Sequence, residues 1–176
     1  MIVIMAGLPG TGKSTLAQAL ASRVSGRILD KDAVRHALFS ETEIEYSTEQ
    51  DDFVMQVMLR TAGWILQKSP EQVLLLDGRP FSRGYQLDLV LKACSDMRQP
   101  WCILECICSE ETARRRIEEQ AADGTHLAGN RDFQLYQNVK TRFEPITLAK
   151  TIIDTDQPLQ ACEELATAAI RKAEKG

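Results

Sequence analysis

Short apolar runs alternate with amphipathic segments along most of the chain. The runs that favour β-strands are rich in Ile, Val and Leu, and they lie at 1–6, 27–30, 73–77, 101–108 and 151–154. The segments with apolar residues at helical spacing lie at 14–24, from 32 onward, at 48–68, 85–97, 110–117 and 133–143, and from 158 onward. This alternation predicts βαβ units and a parallel sheet. We expect one α/β domain over 1–176, interrupted by an acidic, mobile surface segment at 41–50.

A glycine-rich stretch joins the first predicted strand to the first predicted helix. It reads Gly7-Leu8-Pro9-Gly10-Thr11-Gly12-Lys13-Ser14, followed by Thr15, and fits G-x-x-x-x-G-K-[ST] at every fixed position. Its glycines let backbone N–H groups approach phosphate oxygens, and the helix N-terminus adds a positive dipole end. In such a loop Lys13 contacts the β- and γ-phosphates, and the Ser14 hydroxyl binds Mg²⁺. We therefore expect residues 7–15 to bind ATP together with Mg²⁺.

Charged side chains cluster after the second predicted strand. Asp30 closes the strand, and Asp32 and Arg35 lie one turn apart on one face of the next helix. An acidic residue in a first helical turn also stabilises the helix, which explains one carboxylate but not the whole cluster. Ligands bind at the carboxyl ends of strands in open α/β sheets. We therefore expect Asp30 and Arg35 to bind substrate.

A second polar set follows the run at 73–77. Asp77 ends this run, and an acidic residue there is the expected source of a water-mediated Mg²⁺ contact beside a phosphate loop. Arg79 and Arg83 follow at the same edge of the sheet. Either these two arginines bind an anionic substrate or they are simply solvated, and the sequence does not choose.

Composition narrows the class of protein. The chain has 176 residues, a net charge of −4 and a pI near 5.3, which argue against a dedicated nucleic-acid binder but leave a local basic groove open. No apolar run reaches the ~18–20 residues of a membrane span, and the first run leads into the phosphate loop rather than a cleavage site. We expect a cytoplasmic protein, a monomer or a weak homodimer, with no membrane partner. The five cysteines are expected to be buried hydrophobes, since their number is odd and no zinc spacing is present.

A lid is predicted between the fifth and sixth helical segments. Three adjacent arginines, 114–116, cannot all face one side of a helix, so at least one points into the cleft. The glycine-bearing stretch 121–131 then has the character of a loop that closes over phosphates. We place the lid at about 114–132 and take Arg116 and Arg131 as catalytic candidates, whereas His126 is expected to be exposed and idle.

Taken together, these motifs resemble the small P-loop kinases. The similarity is greatest to the zeta-toxin-like and gluconate-kinase-like phosphotransferases, AAA-type ATP-binding proteins that also resemble the kinase domain of polynucleotide kinase. It rests on the phosphate loop, Asp30-x-Asp32-x-x-Arg35, Asp77, the arginine run and the lid. The resemblance implies a three-layer α/β/α P-loop NTPase fold, with a five-stranded parallel sheet in the order 2-3-1-4-5 and a helical lid.

The resemblance also implies roles for single residues. In those families the aspartate of the D-x-x-R element lies beside the acceptor hydroxyl and the arginine contacts substrate, which here are Asp32 and Arg35. Phosphoryl transfer needs such a carboxylate to accept a proton, and cations such as Lys13 to offset charge. Family members often carry a second lid arginine where this chain has Gln120. Arg131 is then the expected γ-phosphate contact, and Arg116 lines the adenine or the phosphates.

The expected activity is ATP-dependent transfer of the γ-phosphate to a hydroxyl of a small molecule such as a sugar, sugar acid, antibiotic or nucleotide. A polynucleotide 5′-hydroxyl is the alternative acceptor, and a toxin-type kinase is also open. A non-catalytic ATP-binding module would leave Asp32, Asp77 and the lid arginines without a role. A GTPase would need N-K-x-D, and a D-x-x-G after the magnesium strand, and the sequence has neither.

Overall fold

The computed structural model describes residues 1–123 and 132–175, and it contains one all-parallel sheet in the order β2-β3-β1-β4-β5. The strands are β1 Ile2–Ala6, β2 Arg27–Asp30, β3 Leu74–Asp77, β4 Trp101–Ile107 and β5 Thr151–Asp154. The helices are α1 Lys13–Arg23, α2 Lys31–Leu38, α3 Thr48–Lys68, α4 Gly84–Met97, α5 Glu110–Asp123, α6 Phe133–Thr141 and α7 Leu159–Glu174. The predicted fold and strand order are confirmed.

Parallel pairing brings the carboxyl ends of the strands to one edge. The central strand β1 pairs with β3 and with β4, so that Ile4 lies opposite both Leu76 and Ile103. On the other side of β3, β2 pairs with β3 in a register that sets Asp30 opposite Asp77. The two predicted acidic clusters therefore lie side by side, next to the loop that leaves β1.

Two apolar clusters cover the two faces of the sheet. Alternate side chains of a strand point to opposite faces. Along β1, Ile2 and Ile4 accordingly pack in the cluster that includes α3 and α4, whereas Val3 and Met5 pack with α1 and α7. All four of these β1 side chains are inaccessible to solvent. The result is a three-layer α/β/α core that holds the functional edge in place.

The lid region differs from the prediction in one respect. Helix α5 continues to Asp123, whereas the sequence pattern predicts that it ends near Ile117. The extension is reasonable because residues 118–122 are Glu, Gln and Ala, which are strong helix formers. Of the predicted lid loop 121–131, residues 121–123 belong to α5. The rest, with His126 and Arg131, lies outside the described residues, and the lid stays a prediction.

The acidic segment 41–50 is also better anchored than predicted. Residues Glu41–Glu43 form a 3₁₀ turn, and the Gln50 amide donates a hydrogen bond to the Glu43 carbonyl at 2.9 Å. Tyr46 lies against Arg35, with the guanidinium 5.0 Å from the ring centroid. Side-chain contacts of this kind leave no periodic signal in the sequence.

No helix in the described part of the chain is long and apolar enough to cross a membrane.

Candidate active site

The phosphate loop curls around the side chain of Lys13. The lysine Nζ donates to the carbonyl of Gly7 at 2.9 Å and to that of Leu8 at 2.7 Å. The Thr11 hydroxyl also donates to the Leu8 carbonyl, at 2.8 Å. Gly7 has φ +132°, and a Cβ there would lie 2.2 Å from the Cys106 carbonyl oxygen of β4. Only glycine fits this position, so the loop is held close to the sheet.

A cavity of about 360 Å³ opens beside this loop. Its volume is typical of small-ligand sites. Its walls come from the loop, α1, α5, the segment after β5 and the start of α7; the lining residues outside the loop include Arg116, Gln120, Thr155, Gln157 and Leu159. The cavity is large enough for the nucleoside part of a triphosphate whose phosphates lie in the loop.

The three arginines of α5 have three different environments. Arg116 lines the larger cavity, as predicted for at least one member of the run. Arg114 lies over the ring of Phe133, with the guanidinium carbon 4.0 Å from the centroid. Arg115 lies on the surface, 3.9 Å from Glu119. Only the first of them is placed to contact a nucleotide.

Thr155 connects Arg116 to the phosphate loop. Arg116 Nη1 lies 3.0 Å from the Thr155 hydroxyl, and its Nη2 donates to the Thr155 carbonyl at 2.8 Å. The same hydroxyl lies 3.0 Å from the carbonyl of Thr11 and 3.1 Å from that of Ile107. One hydroxyl after β5 therefore links α5, β4 and the phosphate loop. No motif in the sequence marks Thr155.

A second cavity, of about 130 Å³, meets the first at Lys13 and Ser14, which line both. Its other walls come from the β2–α2 junction, Tyr46, α3, the segment after β3, and α6; the lining residues there include Asp30, Lys31, Asp32, Tyr46, Asp51, Arg79, Leu135, Val139 and Arg142. We call it the acceptor cavity, because it contains the carboxylates that were predicted to lie beside an acceptor.

Asp30 has a structural task at this cavity. One of its oxygens accepts hydrogen bonds from the backbone N–H groups of Asp32 and Ala33, at 2.8 and 2.9 Å. This is the arrangement of a helix N-cap, and it fixes the first turn of α2. Gly78 of the neighbouring segment has φ +87°, and a Cβ there would lie 2.9 Å from the backbone of Lys31. The β3 end therefore comes close to this turn.

Asp32 and Arg35 form a buried ion pair. Arg35 Nη1 donates to Asp32 Oδ1 at 2.7 Å, and the arginine has no exposed surface. Asp51 of α3 accepts a second hydrogen bond from Arg35 and one from Lys31 at 2.6 Å. Lys31 is also 3.5 Å from Asp32 Oδ1. Two carboxylates and two cations thus stabilise one another, with Asp32 held by a single oxygen.

The two predicted arginines after β3 have separate fates. Arg79 lines the acceptor cavity, is 1% exposed and pairs with Asp52 of α3. Its Nε and Nη1 are buried and have no hydrogen-bond partner within residues 1–123 and 132–175. Arg83 instead lies at the surface and pairs with Glu144 at 3.0 Å. The structure therefore brings only Arg79 to the cavity.

Asp77 and Ser14 suit a magnesium ion. Asp77 is 2% exposed, and its Oδ1 is buried without a hydrogen-bond partner in the part of the chain described. An ion, or water bound to it, would satisfy such an oxygen. The described residues contain no cluster of three or more His, Cys, Asp or Glu for a metal. Mg²⁺ is usually held by one or two carboxylates together with water and phosphates.

The cysteines behave as core residues. All five are free thiols, and Cys94, Cys106 and Cys162 are buried. Burial raises the pKa of Cys106 to about 12 and that of Cys94 to about 11. Thiols with these pKa values are not nucleophiles near neutral pH.

Comparison with known proteins assigns the chain to a family. The profile described as AAA domain matches residues 2–146. The chain belongs to the AAA domain family. A search among curated proteins found no match to this AAA domain protein.

Solved structures cover nearly the whole length of this AAA domain protein. A candidate kinase from Chloroflexus aurantiacus has a TM-score of 0.74 at 21% identity and covers 96% of this chain and 97% of its own. The APS kinase of Mycobacterium tuberculosis, solved with AMPPNP and APS, has a TM-score of 0.72 at 16% identity, with 97% and 96% covered. A gluconokinase from Sinorhizobium meliloti has a TM-score of 0.66 at 16% identity, with 99% and 93% covered. The predicted resemblance to small P-loop kinases is confirmed at the level of fold.

Proposed function

We propose that this protein transfers the γ-phosphate of ATP, with Mg²⁺, to a hydroxyl group of a small-molecule acceptor. The observation that carries the proposal is the lining of the acceptor cavity, where Asp32 faces the same space as Lys13 and Ser14 of the phosphate loop. A carboxylate next to a phosphate loop is the arrangement that phosphoryl transfer to a hydroxyl requires. The similar APS kinase, which was solved with AMPPNP, supports the donor half.

Each residue has a defined task in this reaction. The acceptor oxygen attacks the γ-phosphorus, the bond from this phosphorus to the β–γ bridging oxygen breaks, ADP leaves, and the hydroxyl proton moves to Asp32. Arg35 holds Oδ1 of Asp32 at 2.7 Å, so Oδ2 is the oxygen we assign as the proton acceptor. Lys13 and the loop N–H groups offset the charge on the transferred group. Mg²⁺, held by Ser14 and through water by Asp77, would neutralise phosphate charge when bound.

The size of the acceptor cavity supports a small acceptor. Its volume of about 130 Å³ is close to that of a cavity that holds benzene, about 150 Å³. A polynucleotide end would need a longer basic groove, and the net charge of −4 does not favour one. We assign Asp30 and Arg79, which line the cavity, to the acceptor side and Arg116 to the nucleotide side. Arg35 does not line the cavity and acts through its contact with Asp32. Arg83 is left out because it pairs with Glu144.

The test is a screen of hydroxyl acceptors for ADP release, including an oligonucleotide with a free 5′-hydroxyl. Lys13→Ala and Asp32→Asn should each abolish transfer, and Asp32→Asn should bind ATP almost as wild type does. Asp96→Asn is a matched control, because Asp96 forms only an exposed pair with Lys92. Wild-type turnover in Asp32→Asn would refute the assignment of the base. Tight ATP binding without turnover on any acceptor would indicate a binding module instead.

A further inference from the structure

Helix α6 supplies one wall of the acceptor cavity. Leu135, Val139 and Arg142 line the cavity and are spaced i, i+4 and i+7, which places them on one face of the helix and its C-terminal cap. The first two are apolar, and the third brings a guanidinium to a cavity that is otherwise lined by the phosphate loop, α2, Tyr46, α3 and the β3 end. This wall therefore adds an exposed cation to the cavity.

The other two cations of the α2 and β3 walls form ion pairs within the protein. Lys31 lies 2.6 Å from Asp51, and the buried Arg79 pairs with Asp52 through Nη2, although its Nε and Nη1 have no hydrogen-bond partner among the described residues. Arg142 differs from both, because its exposed side chain has no ion pair or hydrogen bond to any of the residues described. A cationic side chain that lines a cavity and forms no ion pair with a carboxylate of the protein is available to a ligand.

We infer that the acceptor carries, besides its hydroxyl, an anionic group, carboxylate or phosphate, that binds Arg142. The inference rests on the proposed function, which sets the reacting hydroxyl beside Asp32. The guanidinium has paired N–H donors whose geometry matches either kind of anion. The small cavity volume, about 130 Å³, leaves room for only a few atoms between the two groups. The favoured class is therefore a small hydroxy acid or a phosphorylated polyol.

The opposite class, an amino alcohol, is disfavoured by the same charges. The carboxylates of Asp32 and Asp51 are already neutralised by Lys31 and Arg35. The third carboxylate of the lining, Asp30, accepts two backbone hydrogen bonds through one oxygen. An ammonium group would gain little from them, and it would meet Arg142 as a like charge. Neutral polyols would fit the cavity but leave Arg142 unused.

The test compares acceptors that share a carbon chain and differ in the charged group at one end. One series is glycerol, glycerate, glycerol 3-phosphate and 3-amino-1,2-propanediol; the other is glucitol, gluconate, glucitol 6-phosphate and glucamine. For the wild-type protein, kcat/KM for an anionic member should exceed that for the neutral member about tenfold to a hundredfold. A hydrogen bond to a charged group usually contributes a factor of about this size. The better anion, carboxylate or phosphate, identifies the source of the charge. Arg142→Gln should remove that preference.

Arg60→Gln is the matched control, because Arg60 is an exposed arginine on α3 outside the cavity lining. It should keep the wild-type ratio. Preference for the neutral or amine members, or an equal loss for all members in Arg142→Gln, would overturn the inference. If no member is phosphorylated, the binding of each member to the protein with Mg²⁺ and AMPPNP is measured instead. Binding of an anionic member that depends on Arg142 would support the inference and count against the proposed transfer. Absence of such binding would overturn the inference. Transfer to some other, neutral compound would support the proposed function and overturn the inference.

Discussion

Asp51 carries the charge on which the acceptor side most depends. Its Oδ1 accepts from Lys31 Nζ at 2.6 Å and from Arg35, which is completely buried. Asp51→Asn keeps the size of the side chain and removes its charge. The two cations would then share Asp32 as their remaining carboxylate, and Asp32 Oδ2 would be drawn toward them and away from the acceptor.

The expected loss of stability follows from the burial of these groups. Removing one partner of a buried ion pair costs about 3–5 kcal/mol, and a hydrogen bond to a charged group is worth about 1.5–3 kcal/mol. Asp51 is 22% exposed, and Asp32 stays 2.7 Å from Arg35, so the lower range applies. We expect the free energy of unfolding to fall by about 2–3 kcal/mol. For a domain of this size, Tm then falls by about 5–10 °C.

Glu49→Gln is the matched control for this change. Glu49 lies in the same first turn of α3 and is exposed, so the variant loses the same favourable charge at the helix N-terminus. Urea unfolding followed by circular dichroism should place it within about 0.5 kcal/mol of wild type. Asp51→Asn should also lower kcat with the KM for ATP unchanged. Stability of Asp51→Asn within about 0.5 kcal/mol of Glu49→Gln would refute the argument.

Three further outcomes are expected. Thr155→Val removes the hydroxyl between Arg116 and Thr11 and should raise the KM for ATP several-fold in initial-rate assays, and an unchanged KM would contradict this role. Burial raises the pKa of the Cys106 thiol to about 12, so about one thiol in ten thousand is ionised at pH 8. The thiol should therefore resist iodoacetamide at pH 8 and react only after denaturation. Rapid labelling of the folded protein would contradict its burial. Chelation of Mg²⁺ should abolish transfer and excess Mg²⁺ restore it, while Asp77→Asn should raise the concentration of Mg²⁺ required for half-maximal rate.

The phosphate loop and the strands were predictable because their signals are local, whereas the strand order was expected only from the resemblance to the small P-loop kinases. The loop from Gly7 to Ser14 is fixed by spacing within eight consecutive residues, and the strands are continuous apolar runs. Asp32 and Asp77 follow from the rule that strand carboxyl ends share an edge. The end of α5 was predicted too early, because the apolar positions of the helix end at Ile117 although good helix formers follow at 118–122.

The acceptor side was less predictable because it depends on contacts between distant segments. Asp51 resembles any acidic residue in a first helical turn, and its task appears only when α3 packs against α2. Arg142 lies at the end of a helix whose sequence shows an ordinary apolar stripe. Arg83 shows the converse: its position in the sequence suggests the site, but a salt bridge to Glu144 holds it at the surface.

Helices α5 and α6 connect the two cavities through one packed cluster. Arg116 of α5 lines the larger cavity beside the phosphate loop, and Arg142 after α6 lines the acceptor cavity. Between them, Ile117 and Tyr136 are buried in a small apolar cluster, separate from the two sheet clusters, against which Leu8 of the phosphate loop packs. We expect a movement of α6 toward an acceptor to displace α5 and the phosphate loop as well, because their side chains are already in contact.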